Sequence, residues 1–363
     1  MRDFISKTDK LNFVEPSLRK QYLKSLYFKL LVGLLFFLSI LIVSIISIKT
    51  GSINISIVEI YRAFFTETEN SYVIWNLRFT RVVAAILAGA SLGVTGAVMQ
   101  NVLRNPLASP FTLGVSQGAA FGAAFAIIVF GAGQTHYYGN EAVTVFNRYL
   151  IIISALVGAL LTVILILFLS FLRNITPEAI ILAGVAISSL FGAATMFLQY
   201  FASDFQVAAT VFWTFGDLGK AGWVENKLMF IALSFSLIFF FLNRWNYNAL
   251  LWGDEVAESL GVNTKFLRIS SMFMSAFVVS VCTSFLGIIG FIGLISPHIV
   301  RIIVGNDYRF LIPYSALCGA TILCISDLIS RTIIAPEIIP VGIVTSLAGA
   351  PVFFYLLLKW RRI

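Results

Sequence analysis

Apolar runs of about twenty residues recur along the 363 residues of this chain, and that recurrence constrains its fold more than any other feature. A helix of about twenty residues crosses the hydrocarbon of a bilayer. A segment inside lipid must also satisfy its own backbone polar groups, which leaves only helices or closed barrels. Barrel strands would be roughly ten residues long with apolar and polar positions alternating, whereas these runs are longer and continuous. With 59% hydrophobic residues, 12% charged residues and a mean hydropathy of +0.94, the apolar side chains exceed what a core surrounded by water could hide. The expected fold class is all-α, a polytopic membrane bundle. A soluble enzyme, a secreted factor and a porin are excluded.

Candidate spans fall at 26–48, 82–101, 111–131, 149–172, 179–202, 228–243, 267–289, 291–305, 310–330 and 338–358, ten in all. The net charge of +8 could suggest nucleic acid, so the placement of the 25 basic residues decides its meaning. With the N-terminus cytoplasmic, seventeen fall inside and eight outside, which obeys the positive-inside rule and leaves no nucleic-acid partner to invoke. The eighth span is short and carries Pro297, His298 and Arg301. If it did not cross, the count would become thirteen inside and twelve outside and the bias would vanish, so it is kept, with both termini cytoplasmic. Residues 1–25 read as a basic cytoplasmic segment and 26–363 as one ten-helix domain. The first apolar run has no small-residue cleavage site behind it and reads as a retained anchor.

No phosphate-loop, HExxH or GxSxG pattern occurs, and His136 and His298 fall on opposite sides of the expected membrane. Cys282, Cys318 and Cys324 lie within spans without CxxC spacing and read as small buried apolar residues. No metal or cofactor is expected on this chain. Gly89 with Gly93, and Gly114, Gly118 and Gly122, recur at four-residue spacing and allow helix backbones to approach closely.

Three connecting stretches carry more. Residues 100–110 join spans two and three through Pro106 and Pro110, a stiff non-helical loop suited to a gate at a pore mouth. In 252–262, Asp254 is the expected N-cap, Glu255 favours the helix dipole and Gly261 supplies the left-handed stop. Val256, Ala257 and Leu260 would then share an exposed apolar face that needs a partner. In 287–301, glycines and Pro297 inside a membrane segment imply a broken helix held by its neighbours.

These residues carry a family resemblance. Leu77-Arg78 with Arg81, Gly96 to Gln100, Arg104-Asn105-Pro106-Leu107-Ala108, the 254–261 loop, Gly290-Phe291-Ile292-Gly293-Leu294 with Pro297-His298 and Arg301, Asp327 with Arg331, Pro340-Val341-Gly342 and Gly349-Ala350-Pro351 appear in order. Together they resemble the permease family of ATP-binding-cassette (ABC) importers for ferric siderophores, haem and cobalamin, from about residue 50 onward. The resemblance implies a ten-span subunit in a prokaryotic plasma membrane, pairing with a second copy or a paralogue. Two cytoplasmic ATPase subunits holding ATP and Mg would lie below it, and an extracytoplasmic substrate-binding protein above.

Residue by residue, the resemblance makes Arg78, Arg81 and Arg331 the docking site for the binding protein. Asp254, Glu255, Val256, Ala257, Leu260 and Gly261 become the ATPase coupling segment, within coupling helices near 253–266. Asn105 and Leu107 become the cytoplasmic gate, with Thr176 and Pro177 in the 174–178 turn beside them. The expected cargo is an iron chelate such as a ferric siderophore, with haem, cobalamin and molybdate as alternatives. An ion-coupled secondary transporter would need carboxylates at the bilayer midplane. Only Asp327 lies clearly inside a span, four residues from Arg331 and on its helical face, where an ion pair accounts for it.

Overall fold

The computed structural model describes residues 16–51, 56–63, 65–66, 70–132, 135–138, 141–144, 147–173 and 176–360. The ten expected spans correspond one to one with ten apolar helices, seven long enough to cross a membrane and three shorter. They are α1 (Pro16–Lys49), α3 (Thr80–Val102), α4 (Val115–Ile128), α5 (Arg148–Arg173), α6 (Pro177–Tyr200), α8 (Trp223–Leu242), α11 (Thr264–Leu286), α12 (Ile292–Val304), α13 (Tyr308–Thr332) and α14 (Val341–Trp360). Short helices α2 (Ile57–Ala63), α7 (Asp204–Thr214), α9 (Arg244–Leu250) and α10 (Asp254–Ser259) lie in the connections. A small antiparallel hairpin, β1 (Thr135–Tyr138) with β2 (Glu141–Thr144), joins α4 to α5 and is an addition to the all-α expectation. Helix α1 starts well before the expected boundary at 26, and its 34 residues reach about 51 Å. Residues 1–15, most of the expected basic segment, lie outside the described residues.

Helix α3 runs through the middle of the bundle. Its span is 89% buried, against 28% for the span of α1 and 22% for that of α6, whose bulky apolar side chains form outward faces suited to lipid or another subunit. Small residues explain why α3 can be central: a Cβ on Gly89 would stand 2.4 Å from the Gly319 carbonyl oxygen of α13. On Gly96 it would stand 1.7 Å from that of Gly293 in α12, so these backbones touch where any side chain would hold them apart. Gly118 meets Gly158 of α5 in the same way, whereas Gly114 caps the helix start at φ +84°.

The broken helix is present as expected. Helix α11 stops at Gly287 (φ +82°), and α12 resumes after Phe291 (φ +66°). The irregular 214–217 segment pairs with this break, Asp217 N donating to the Leu286 carbonyl at 2.8 Å and Ile288 N to the Thr214 carbonyl at 3.3 Å, and is itself held by Gly342 N of α14, which donates to the Gly216 carbonyl at 3.1 Å. Phe215 and Ile288 form a parallel bridge beside them. This junction lies about 34 Å along α11 from Thr264, so it and the short helix α10 occupy opposite ends of the bundle.

Candidate functional site

At the α10 end, α9 forms a platform. The Asn101 amide of α3 donates to the Tyr247 carbonyl at 3.2 Å, the Tyr247 and Ser271 hydroxyls are 2.8 Å apart, and Tyr308 N donates to Asn248 Oδ1 at 2.9 Å. Asp307 reinforces it. Burial alone would raise its pKa, but hydrogen bonds from Arg309 and Asn248 hold the carboxyl below the ordinary carboxylate value.

Helix α10 is set on this platform between two left-handed glycines, Gly253 (φ +114°) and Gly261 (φ +86°). Gly253, and not Asp254, occupies the N-cap position, because the Asp254 carboxylate is drawn aside by two arginines: Oδ1 is 2.9 Å from Arg104 Nη2 and 3.1 Å from Arg268 Nη2. Arg268 Nε also donates to the Val102 carbonyl at the end of α3, at 2.7 Å. The expected apolar face needs a further correction. Ala257 is fully buried against the bundle, while Val256 and Leu260, one helical turn apart, are 43% and 68% exposed and Glu255 is exposed beside them. The outward surface is thus Val256 and Leu260 rimmed by Glu255, and Ala257 is its foundation.

The proline-containing loop follows α3 immediately. Arg104 adopts φ +47°, a left-handed backbone that costs a non-glycine residue on the order of 1 kcal/mol. Asn105 Oδ1 accepts from Leu107 N at 2.8 Å, closing a tight turn that leaves the Leu107 side chain outside. Ser109 and Thr112 then cap a short 3-10 turn, Pro110–Leu113, reciprocally. Asn105 and Leu107 line a groove of about 360 Å³ together with Phe111, Ile181, Val185 and Ser188, so the loop faces α6. Thr176 and Pro177 start α6 as N-cap and first residue and are not among the groove's lining residues. Residues 174–175 of the expected gate turn lie outside the described residues.

At the opposite end, Arg78, Arg81 and Arg331 do gather, but inward. Arg81 Nε donates to Asp327 Oδ1 at 2.7 Å and Arg331 Nε to Asp327 Oδ2 at 3.0 Å, with Asp327 only 1% exposed. Arg78 Nη1 donates to the Ile48 carbonyl at 2.7 Å, and Arg331 reaches the Thr50 carbonyl at 2.8 Å, so both cap the end of α1. Arg81 Nη1 also lies 3.2 Å from Asp217 Oδ1 in the 214–217 segment, which reading the sequence did not connect to it. Arg78 belongs to a π-helical stretch, Val73–Phe79, that precedes α3. Arg81 and Arg331 therefore meet two carboxylates while Arg78 donates to carbonyls at the end of α1, and Arg81 Nη2 is buried without a hydrogen-bond partner. Nearby, Lys220 donates to the carbonyls of Trp213 and Phe215 at 3.1 and 2.9 Å. Burial lowers its pKa to about 8, opposed by the charge of Asp217.

A ten-span bundle with a broken helix, no cluster of metal-binding side chains among the described residues, and a short helix presented at one end has the anatomy of a transport permease. The FecCD transport family matches residues 39–359, and the chain belongs to that family of ABC-importer permeases. It is 52% identical to a Methanocaldococcus jannaschii protein described as an ABC transporter permease, over 96% of this chain and 99% of that one. It is 34% identical to the hemin transport system permease of Yersinia pestis, over 90% and 96%. Among solved structures, an inward-facing ABC transporter described as of metal-chelate type superposes with a TM-score of 0.79 at 29% identity, covering 90% of this chain and 99% of that one.

Proposed function

We propose that this chain is the plasma-membrane permease subunit of an importer that carries an iron chelate into a prokaryotic cell, with both termini cytoplasmic. It works beside a second copy or a paralogue, on two ATPase subunits that hold ATP and Mg, and receives cargo from an extracytoplasmic binding protein. The chain itself supplies the path and no hydrolytic chemistry. The observation that carries the reading is α10: an apolar pair, Val256 and Leu260, stands in water on a helix whose opposite side is packed on Ala257, and such a face fits a groove on a soluble partner. Asn105 and Leu107 form the cytoplasmic gate at the foot of α3, with the Thr176–Pro177 start of α6 fixing the far side of the groove.

The arginines at the other end take the binding protein indirectly. Their cluster sets Arg78, Arg81 and Arg331 against Asp217 and Asp327, and that excess of positive charge at this end attracts the acidic side chains of a docking partner. Asp327 lies in the last turns of α13, away from its middle, and is already shared by Arg81 and Arg331, so it does not supply the midplane carboxylate an ion-coupled carrier would need. The iron chelate is favoured by the structural neighbour described as of metal-chelate type; haem, cobalamin and molybdate are the alternative cargoes. Deleting this chain and following uptake of a radiolabelled ferric siderophore, hemin, cobalamin and molybdate tests the reading. Loss of a ferric chelate alone supports it, and unchanged uptake of every iron compound refutes it.

A further inference from the structure

The three side chains Arg104, Asp254 and Arg268 connect the two parts that an importer of the proposed kind must move together. Asp254 is the first residue of α10, Arg104 immediately precedes Asn105 in the loop after α3, and Arg268 is one turn into α11. The two arms of this triad differ. Arg268 is 13% exposed as a side chain and is fixed a second time by its bond to the Val102 carbonyl, so its arm is the permanent one. Arg104 and Asp254 are 40% and 35% exposed, and their contact is screened by water and weak enough to be remade. Both backbones beside that weak arm are set to turn: Arg104 sits at φ +47°, and Gly253 and Gly261 flank α10 at φ +114° and +86°.

We propose that Asp254 is a positioning residue for the gate: it ties α10 to Arg104, so that a displacement of α10 is delivered to Asn105 and Leu107, while Arg268 keeps the carboxylate registered on the end of α3. Its duty is thereby internal to the permease, distinct from the outward face of Val256 and Leu260. An Asp254 needed for contact with the ATPase would point its carboxylate at the partner; here both oxygens face arginines of this chain. The proposal rests on the permease reading above.

The test uses the assembled complex in proteoliposomes. ATPase co-purification, ATP hydrolysis and chelate uptake are read for Asp254→Asn, Arg104→Gln and the double variant. A Leu107→Cys substitution in each background reports the gate through its rate of reaction with a thiol reagent with and without ATP, since Cys282, Cys318 and Cys324 are buried. The expected result is normal ATPase co-purification, and uptake per ATP lowered about tenfold in each single variant and no further in the double, because both break one link. The ATP-dependent change in reactivity at position 107 is lost in all three, and Arg104→Lys restores most of the uptake. Unchanged uptake per ATP in Asp254→Asn, or losses that multiply in the double variant, overturns the proposal. Failure of Asp254→Asn and Arg104→Gln alike to assemble with the ATPase also overturns it, making the triad a fold element. Absence of ATP-driven uptake in the unaltered complex refutes the permease reading itself, before any variant is compared.

Discussion

Replacing Asp327 by Asn tests the arginine cluster most severely. The carboxylate is 1% exposed and its partners Arg81 and Arg331 are 11% and 9% exposed as side chains, at 2.7 and 3.0 Å, so little solvent screening weakens either pair. Removing one partner of a buried ion pair costs about 3–5 kcal/mol, chiefly because the remaining charge stays buried and uncompensated. Two guanidinium groups are stranded here beside Arg78. The Arg81–Asp217 contact survives, but its carboxylate is 36% exposed and returns less than about 1 kcal/mol. A net loss of about 3 kcal/mol or more is expected, with α1 released from the ends of α3 and α13. A fluorogenic thiol reagent follows unfolding in detergent, since the three cysteines report only when the bundle opens. Asp327→Asn should expose them several degrees below the unaltered protein, and Asp217→Asn should barely shift the midpoint. Equal midpoints for Asp327→Asn and the unaltered chain would show that the cluster does not hold these helices together.

The proposed coupling face separates into two kinds of residue. Val256→Asp or Leu260→Asp should leave expression and thermal stability unchanged and abolish ATPase co-purification, whereas Ala257→Asp should fail to fold, because an unpaired charge would enter a fully buried site. Gly96→Ala should lower the unfolding free energy by about 1–3 kcal/mol and the midpoint with it, since its methyl carbon would overlap the Gly293 carbonyl, and a parent-like midpoint would contradict the close crossing of α3 and α12. Lys220 titrates at about 8 when folded against 10.5 as a free side chain. Between those values the unfolded chain holds more protons, so stability should rise with pH across that window. Lys220→Met should remove that rise, which unfolding midpoints at pH 8 and pH 10 would reveal.

The spans were legible because bilayer thickness dictates their length, and even the short α12 was recoverable from the balance of basic residues across the membrane. The broken helix was legible from Gly287 and Gly290, for glycine inside an apolar run signals a backbone that leaves the helix, whereas Pro297, also expected to mark the break, lies inside the continuous helix α12. The pairing of Arg331 with Asp327 was legible from their four-residue spacing, but the direction in which Arg78 and Arg81 point was not. Arg81 meets Asp327 across 246 positions and Asp217 through an irregular segment, and no local pattern encodes either encounter. The same limit applies to α10. Spacing placed Val256, Ala257 and Leu260 together, yet a six-residue helix between two glycines can be rolled by its supports, and the pull of Arg104 and Arg268 on Asp254 turns Ala257 inward. The π-helical stretch Val73–Phe79 has no sequence signature of its own in this chain.

The central claim is that this permease is driven by ATP hydrolysed on a separate subunit and carries a ferric chelate. Its most direct measurement is uptake of a radiolabelled ferric chelate into proteoliposomes holding the permease, its ATPase and its binding protein, energised either by ATP and Mg or by an imposed proton or sodium gradient. The account predicts accumulation with ATP and Mg, undiminished when ionophores collapse every gradient, and lost when the ATPase is omitted or Val256→Asp is introduced. Accumulation that follows the gradient and ignores ATP would contradict it.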